Sequence, residues 1–374
     1  MEQLLKPIFD PESQKPRWKI VKFGGQSLAN GAGLPRVLEL IAEKARSGDR
    51  IAVVLSAREK ATDQLEVLLE RAASSQEYTT PLEAFRAYQQ DPFAEIDLDA
   101  EFIELGRLLE GVALLGDYSD RIKDQVMAHG ELISAKLITA LLKAKHVPAV
   151  MVDSRELIKT DDTFGDARVL EASSRSNTQR VFEALPSECI PIITGYIAST
   201  EAGETTTLGR NGSNYTASLL ANFLDASELQ NYTHVDGIYT ANPEWVPEAQ
   251  KITELSYEEA NELAYFGASI LHAKTIIPLL EKNIPLRILN TFNDDSSGTR
   301  ISAEAGGEGI KALSVIDNEA LIVLEGRGLL GKVGVDARIF KALSQRNISV
   351  SIISQGSSER GIGLVVAEDH AEEA

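Results

Sequence analysis

Apolar and polar positions change along the chain in blocks of recognisable period. Residues 18–24 read as a strand running into a glycine turn, after which Leu34, Val37, Leu38 and Ile41 recur at helical spacing up to a Ser47-Gly48 stop. Ile51-Ala-Val-Val-Leu55 follows as a continuous apolar run, the kind that is buried on both faces of a parallel sheet. These three segments predict a βαβ unit. A more polar helical stretch covers residues 63–127, and within it Asp91, Pro92 and the acidic segment 95–101 predict a peripheral excursion. From Glu131 onward Leu132, Ile133, Leu137, Ile138, Leu141 and Leu142 repeat with helical period. Lys143, Lys145 and His146 stand at the C-terminal end of that pattern, where the helix dipole favours cations. Further strands are predicted at 147–152, 191–194 and 284–289, and helices at 215–224, 257–265 and 275–282. Strands alternating with helices predict a three-layer α/β domain with a mainly parallel central sheet.

Beyond a Gly/Glu-rich hinge at 303–309 the pattern changes. Residues 310–315 and 320–324 read as strands, 336–344 as a helix, and 348–353 with 361–366 as a hairpin around GSSERG. The expected organisation is an N-terminal extension (1–17), a large domain (18–302), the hinge (303–309) and a small β/α module (310–374) that runs out into the acidic AEDHAEEA.

Composition narrows the function classes. A chain of 374 residues that is 43% hydrophobic and 25% charged is a folded globular protein, and at about 150 residues per domain it holds two or three. Its 37 basic and 56 acidic residues leave a net charge of −19 with no basic patch, so neither nucleic acid nor an anionic membrane is an expected partner. No stretch approaches the roughly 18 apolar residues of a membrane span, and MEQLLKPIFDPESQKPRWKI lacks the apolar core of a signal peptide. A cytoplasmic location is expected. Cys189 is the single cysteine, which excludes an intramolecular disulfide and a multi-cysteine zinc site; it reads as a small buried hydrophobe. His129, His146, His234, His272 and His370 show no ligand spacing, so no metal site is expected from them.

Three segments carry candidate chemistry. Val21-Lys22-Phe23-Gly24-Gly25-Gln26-Ser27 ends a strand in a lysine and a Gly-Gly turn before a helix. Glycines let backbone N–H groups approach a phosphate, and Lys22 adds a point charge where a transferring phosphoryl group spreads its own. A tight turn with a surface lysine is the plainer alternative. The hydroxyl- and Gly-rich loop TTTLGRNGSNYTA (205–217) feeds an apolar helix. In it Arg210 can fork onto a carboxylate while Ser213 and backbone groups donate, or Ser213 or Asn214 simply caps the helix. Glu131, after Gly130, either meets a substrate ammonium or sits in the first helical turn for the sake of the dipole.

Together these segments resemble the amino-acid kinase superfamily, and within it the aspartate kinases. VKFGGQS (21–27), VVLSAREKAT (53–62), HGELISAKL (129–137), TTTLGRNGSNYTA (205–217), THVDGIYTANP (233–243) and SYEEANELAYFGASILHAKT (256–275) occur in the family's order across most of residues 18–302. The segment 310–366 is similar to the first part of the family's regulatory ACT region. Its wording, with GRNGS, resembles the bifunctional aspartokinase/homoserine dehydrogenase proteins. The resemblance implies Mg²⁺- and ATP-dependent phosphorylation of the aspartate side-chain carboxylate to 4-phosphoaspartate, the step that commits aspartate to threonine, methionine or lysine. It implies catalytic roles for Lys22 and Asn214, ATP contacts from Gly24, Gly25, Thr233, His234 and Tyr239, and aspartate contacts from Thr62, Glu131, Arg210 and Ser213. An amino-acid effector, threonine, is implied near Gly331 and Asn347, as is a homo-oligomer. The family pattern would continue past this ACT-like part, so a partial module with an open sheet edge is expected.

The chain departs from the family wording at Gln26 (usually Thr), Asn214 (Asp), His234 (Asp), Glu244 (Arg) and Ser269 (Lys). Lys274 and His234 are candidates to compensate for the lost charges. A catalytically weak, amino-acid-binding regulatory module of the same fold is therefore the rival expectation, and glutamate the rival substrate.

Overall fold

The computed structural model describes residues 16–90, 95–265, 273–304, 309–325, 333–355 and 361–374. Asp91, Pro92, Ser269, His272, Gly331, most of the N-terminal extension, most of the hinge and the tip of the last hairpin lie outside the described residues. The chain divides into two compact units, one holding residues up to 313 apart from 266–268, and the other holding 314–374.

The larger unit is built on an eight-stranded sheet. From one edge its strands are Glu254–Leu255, Thr299–Ile301, Leu286–Asn290, Glu228–Thr233, Lys19–Phe23, Ile51–Leu55, Ile190–Thr194 and Ala149–Val152. Every neighbouring pair is parallel except Leu286–Asn290 with Thr299–Ile301. Side chains alternate across the sheet, so each strand feeds two cores. Ile20, Ala52, Val54 and Ile193 pack with helices Gly212–Phe223 and Ala273–Leu280 on one face. Val21, Phe23, Val53 and Ile192 pack with helices Gly33–Arg46 and Asp120–Ala144 on the other. Helix, sheet and helix form the three layers that the sequence pattern predicts.

The polar stretch 63–127 resolves into helices Ala61–Ala73, Thr79–Gln90, Asp99–Leu115 and the start of Asp120–Ala144. The acidic segment 95–101 is not a mere excursion. It leads into a helix whose Phe102, Leu105, Leu109 and Val112 join Phe85, Leu98 and Leu65 in a third core, with Asp99 and Glu104 exposed and Glu101 paired with Lys136. A second correction concerns the helix predicted from Glu131: it begins at Asp120, so Glu131 lies in mid-helix and has no N-terminal dipole to answer. Gly130 imitates a boundary but serves close packing, because a Cβ there would lie 2.8 Å from the Ala57 Cβ. Cys189 is half-buried, ahead of strand Ile190–Thr194, rather than a core residue.

A small three-stranded sheet, Lys159–Thr160, Ile197–Thr200 and Thr205–Thr207, carries the segment after Thr194 out and back. It delivers residues 208–211 to the start of helix Gly212–Phe223.

The smaller unit is an antiparallel sheet in the order Glu319–Glu325, Gly361–Ala367, Ile352–Gln355, with helix Val335–Ser344. Ile362, Leu364 and Val366 pack with Leu343, Ile348 and Phe340 as its core. Residues 310–315 are not a strand: Ile310, Leu313 and Val315 are exposed, and although the Leu313 N–H donates to the Thr240 carbonyl at 2.8 Å, no strand ladder forms there.

Candidate functional site

Parallel strands end together, and in open α/β sheets ligands bind beyond their carboxyl ends where the strand order reverses. Here Lys19–Phe23 is that point, with Ile51–Leu55 on one side and Glu228–Thr233 on the other. Beyond these ends lies an open cavity of about 550 Å³, lined by Lys22, Gly25, Thr62, Glu131, Arg210, Ser213 and Asn214. These residues come from four separate sequence segments, which thus meet in one place.

Lys22 alternates onto the face of Ile20, in register with Val54 and Asn231, and is only 8% exposed. Its ammonium has no ion pair among the described residues, and burial lowers its pKa to about 8. A desolvated, uncompensated cation is a receptor for an anion. Gly24 and Gly25 divide their work. The Gly24 N–H donates to the Tyr232 carbonyl (3.3 Å), and its Cα leaves room beside Lys22, whose Nζ would be 3.4 Å from a Cβ there. Gly25 is the member of the pair that lines the cavity; a Cβ on it would lie 2.7 Å from the Ala57 carbonyl oxygen. The turn continues as a short 3-10 segment, Gly25–Leu28, and the α-helix starts only at Gly33, so no α-helix N-terminus backs these glycines.

Glu131 is 3% exposed. One carboxylate oxygen, Oε1, accepts the Ala57 N–H at 3.0 Å, while Oε2 is buried without a donor. Burial raises its pKa to about 8. The folded state therefore binds this proton more tightly than the unfolded chain, and its contribution to stability falls as pH climbs from the usual carboxylate range through about 8. Such a carboxylate gains most from an incoming ammonium, which restores the missing donor and the missing countercharge together.

Arg210 and Asn211 are exposed at the cavity wall, and Asn211 (φ 58°), not Ser213 or Asn214, is the residue that precedes helix Gly212–Phe223. Ser213 is buried against Gly195, where a Cβ would come within 2.7 Å of its Oγ. Asn214 Oδ1 is buried without a donor. Thr62 sits in the first turn of helix Ala61–Ala73.

The same cavity takes in residues that the motifs did not flag. Tyr196 follows Gly195 with φ 66°, a left-handed backbone for a bulky side chain, and burial pushes its phenol up to about 12. Asp124 and Lys123 come from helix Asp120–Ala144, Lys123 pairing with Glu66. Asp124 precedes Glu131 by two helical turns, so the helical period was the signal that could have found it.

Thr233, His234 and Tyr239 do not line this cavity. Thr233 ends the strand beside Lys19–Phe23, His234 is exposed next to it, and Tyr239 belongs to the short ribbon Ile238–Tyr239 with Lys251–Ile252. Asp236 holds this region by accepting from the side-chain amides of Asn290 (2.7 Å) and Asn293 (3.0 Å). Gln26 and Glu244 are exposed. Lys274 is paired with Asp166, beside Gly209, rather than free to replace a lost phosphate contact. In the smaller unit Asn347 is exposed, with φ 56°, just after helix Val335–Ser344.

A family model of amino acid kinases matches residues 17–290, and an ACT domain model matches 322–374. Over 373 residues the chain is 35% identical to the bifunctional aspartokinase/homoserine dehydrogenase of Haemophilus influenzae, covering 95% of this chain and 45% of that protein. Two solved structures of Escherichia coli aspartokinase III match it with 31% identity, each covering 93% of this chain and 78% of that one. The complex with lysine and aspartate (T-state) gives a TM-score of 0.79, and the complex with aspartate and ADP (R-state) 0.80. The chain belongs to the amino acid kinase family, and within it to the aspartokinases. It spans less than half the length of the bifunctional relatives, 45% and 40% for two of them.

Proposed function

We propose that this chain is an aspartate kinase, which transfers the γ-phosphoryl group of ATP to the side-chain carboxylate of L-aspartate and yields 4-phosphoaspartate. The observation that carries the reading is the cavity itself: an unpaired buried cation, Lys22, and a half-satisfied buried carboxylate, Glu131, open onto the same space. A zwitterionic amino acid with a second carboxylate complements that pair. In this reading Glu131 receives the ammonium, Arg210 the α-carboxylate, and Thr62 and Ser213 the remaining polar edges. The substrate carboxylate is already ionised, so no general base is needed and catalysis is positioning plus electrostatics. Lys22 offsets the charge spread over the transferring phosphoryl oxygens, and Gly25 lets the backbone approach it.

ATP enters from the side of Gly24, Thr233, His234 and Tyr239. The residues present also fit a magnesium ion: Asn214 Oδ1 is a buried oxygen without a donor at the cavity wall, a neutral ligand of the kind this hard cation accepts beside phosphate oxygens. Bound there, the ion would offset phosphate charge that Lys22 alone does not neutralise. We assign the C-terminal module, from about residue 310, a regulatory role with an amino-acid effector, threonine by resemblance, near Gly331 and Asn347. A homo-oligomer in the cytoplasm completes the reading; no helix among the described residues is long and apolar enough to cross a membrane.

Formation of ADP by the purified chain with Mg²⁺-ATP, with and without L-aspartate, tests the reading. Aspartate-dependent turnover is expected, reduced about 10²- to 10³-fold in Lys22→Ala, as for removal of one preorganised transition-state donor. Folded chain that binds L-aspartate but forms no ADP would replace the kinase with the regulatory module.

A further inference from the structure

Asp124 is a fully formed hydrogen-bonding hub that the proposed chemistry does not use. It is 2% exposed; Oδ2 accepts the N–H groups of Gly165 and Thr207, both at 2.9 Å, and Oδ1 accepts the Thr207 hydroxyl at 2.8 Å. The two segments it gathers are also joined to each other, the Ala167 N–H donating to the Thr207 carbonyl at 2.9 Å. Each of them leads to the same place. Thr207 continues through Leu208 and Gly209 to Arg210, while Gly165 continues to Asp166, which packs so closely on Gly209 that a Cβ there would lie 2.3 Å from Asp166 Oδ1. Gly209 itself has φ 71°, so the turn that aims Arg210 depends on a left-handed residue held from both sides. Arg210 makes no hydrogen bond or ion pair among the described residues, which leaves its backbone as the part the protein controls.

We propose that Asp124 is a positioning residue: as the common acceptor for Gly165 and Thr207 it fixes the loop that presents Arg210 at the cavity, and so sets the affinity for the amino-acid carboxylate. The inference rests on the reading of the cavity as the amino-acid site. What this role demands is acceptors, not charge. An asparagine at 124 keeps an oxygen for both N–H groups and turns its amide N–H toward the Thr207 hydroxyl, which can accept it. Burial already holds the Asp124 pKa above the ordinary range, so a neutral group is not foreign to the position. An alanine removes all three bonds.

Steady-state kinetics of the whole chain, varying L-aspartate and ATP in turn, test this. Asp124→Ala is expected to raise the KM for aspartate about tenfold to a hundredfold, the range for a lost charge-assisted contact, with the KM for ATP changed by less than about twofold. Asp124→Asn should recover most of that loss. In an Arg210→Ala background Asp124→Ala should add almost nothing, because the residue it positions is gone. Equal effects on both KM values, an asparagine variant as impaired as the alanine, or additive losses in the double variant would overturn the proposal. Should Asp124→Ala fail to fold, Thr207→Val removes one bond from the other side and must raise the aspartate KM alone, or the proposal falls. If the parent chain shows no aspartate-dependent turnover, the kinase reading fails separately; calorimetric titration with L-aspartate then compares the same variants by Kd.

Discussion

The two halves of the candidate site are built differently. In the cavity proposed for the amino acid and the transferring phosphoryl group, Lys22, Glu131, Ser213 and Asn214 are largely buried, and Glu131 and Asn214 keep buried oxygens without donors. On the side proposed for the nucleotide, His234 and Glu244 are exposed, and Asp236 accepts from the side-chain amides of Asn290 and Asn293. Buried polar atoms without partners cost about 1–3 kcal/mol each, a cost a ligand can reverse. The first half thus holds unmet buried hydrogen-bonding capacity beside the exposed Arg210, while the second holds little. Substitution should be correspondingly harsh on one side and mild on the other.

Arg210→Ala breaks the amino-acid half most simply. It should raise the KM for aspartate about tenfold to a hundredfold while the KM for ATP stays within about twofold, as read from paired saturation curves. Equal changes in both constants would erase the distinction between the halves. Glu244→Arg sharpens the comparison from the other side. Glu244 stands where the family wording has arginine, and it is exposed, so reversing its charge should lower the KM for ATP by only about two- to fivefold and leave aspartate saturation unchanged. A larger gain would mean that the nucleotide half is as closed and as desolvated as its neighbour.

The sequence displayed the two halves unequally for a related reason. Strand Ile51–Leu55 follows directly from its continuous apolar run, which the structure buries on both faces, and helix Tyr257–Tyr265 forms where the sequence places it. Motif wording picked out Lys22, at a strand end, Arg210, in a loop, and Glu131, in mid-helix, and all three line the cavity. Asp124 was less so: the helical period sets it two turns before Glu131, but its partners come from the hairpin ending at Thr207, 83 residues away. Gly130 misled in the opposite sense, since only the approach of Ala57 shows why a glycine stands in mid-helix. Residues 310–315 misled because apolar spacing marks a strand only where a ladder forms, and here Leu313 bonds to Thr240 without one. Local pattern carries local structure, whereas contacts between distant segments leave little trace in either.

Glu131 is the proposed receptor for a substrate ammonium in the cavity. Burial raises its pKa to about 8, so at pH 7 most of the empty protein carries this proton, and binding an ammonium must expel it. Calorimetric titration of the whole chain with L-aspartate at pH 7, in buffers of different ionisation enthalpy, measures that exchange. Release of most of one proton per aspartate bound is expected, abolished together with tight binding in Glu131→Gln. Binding that releases no proton, or that survives Glu131→Gln unchanged, would contradict it.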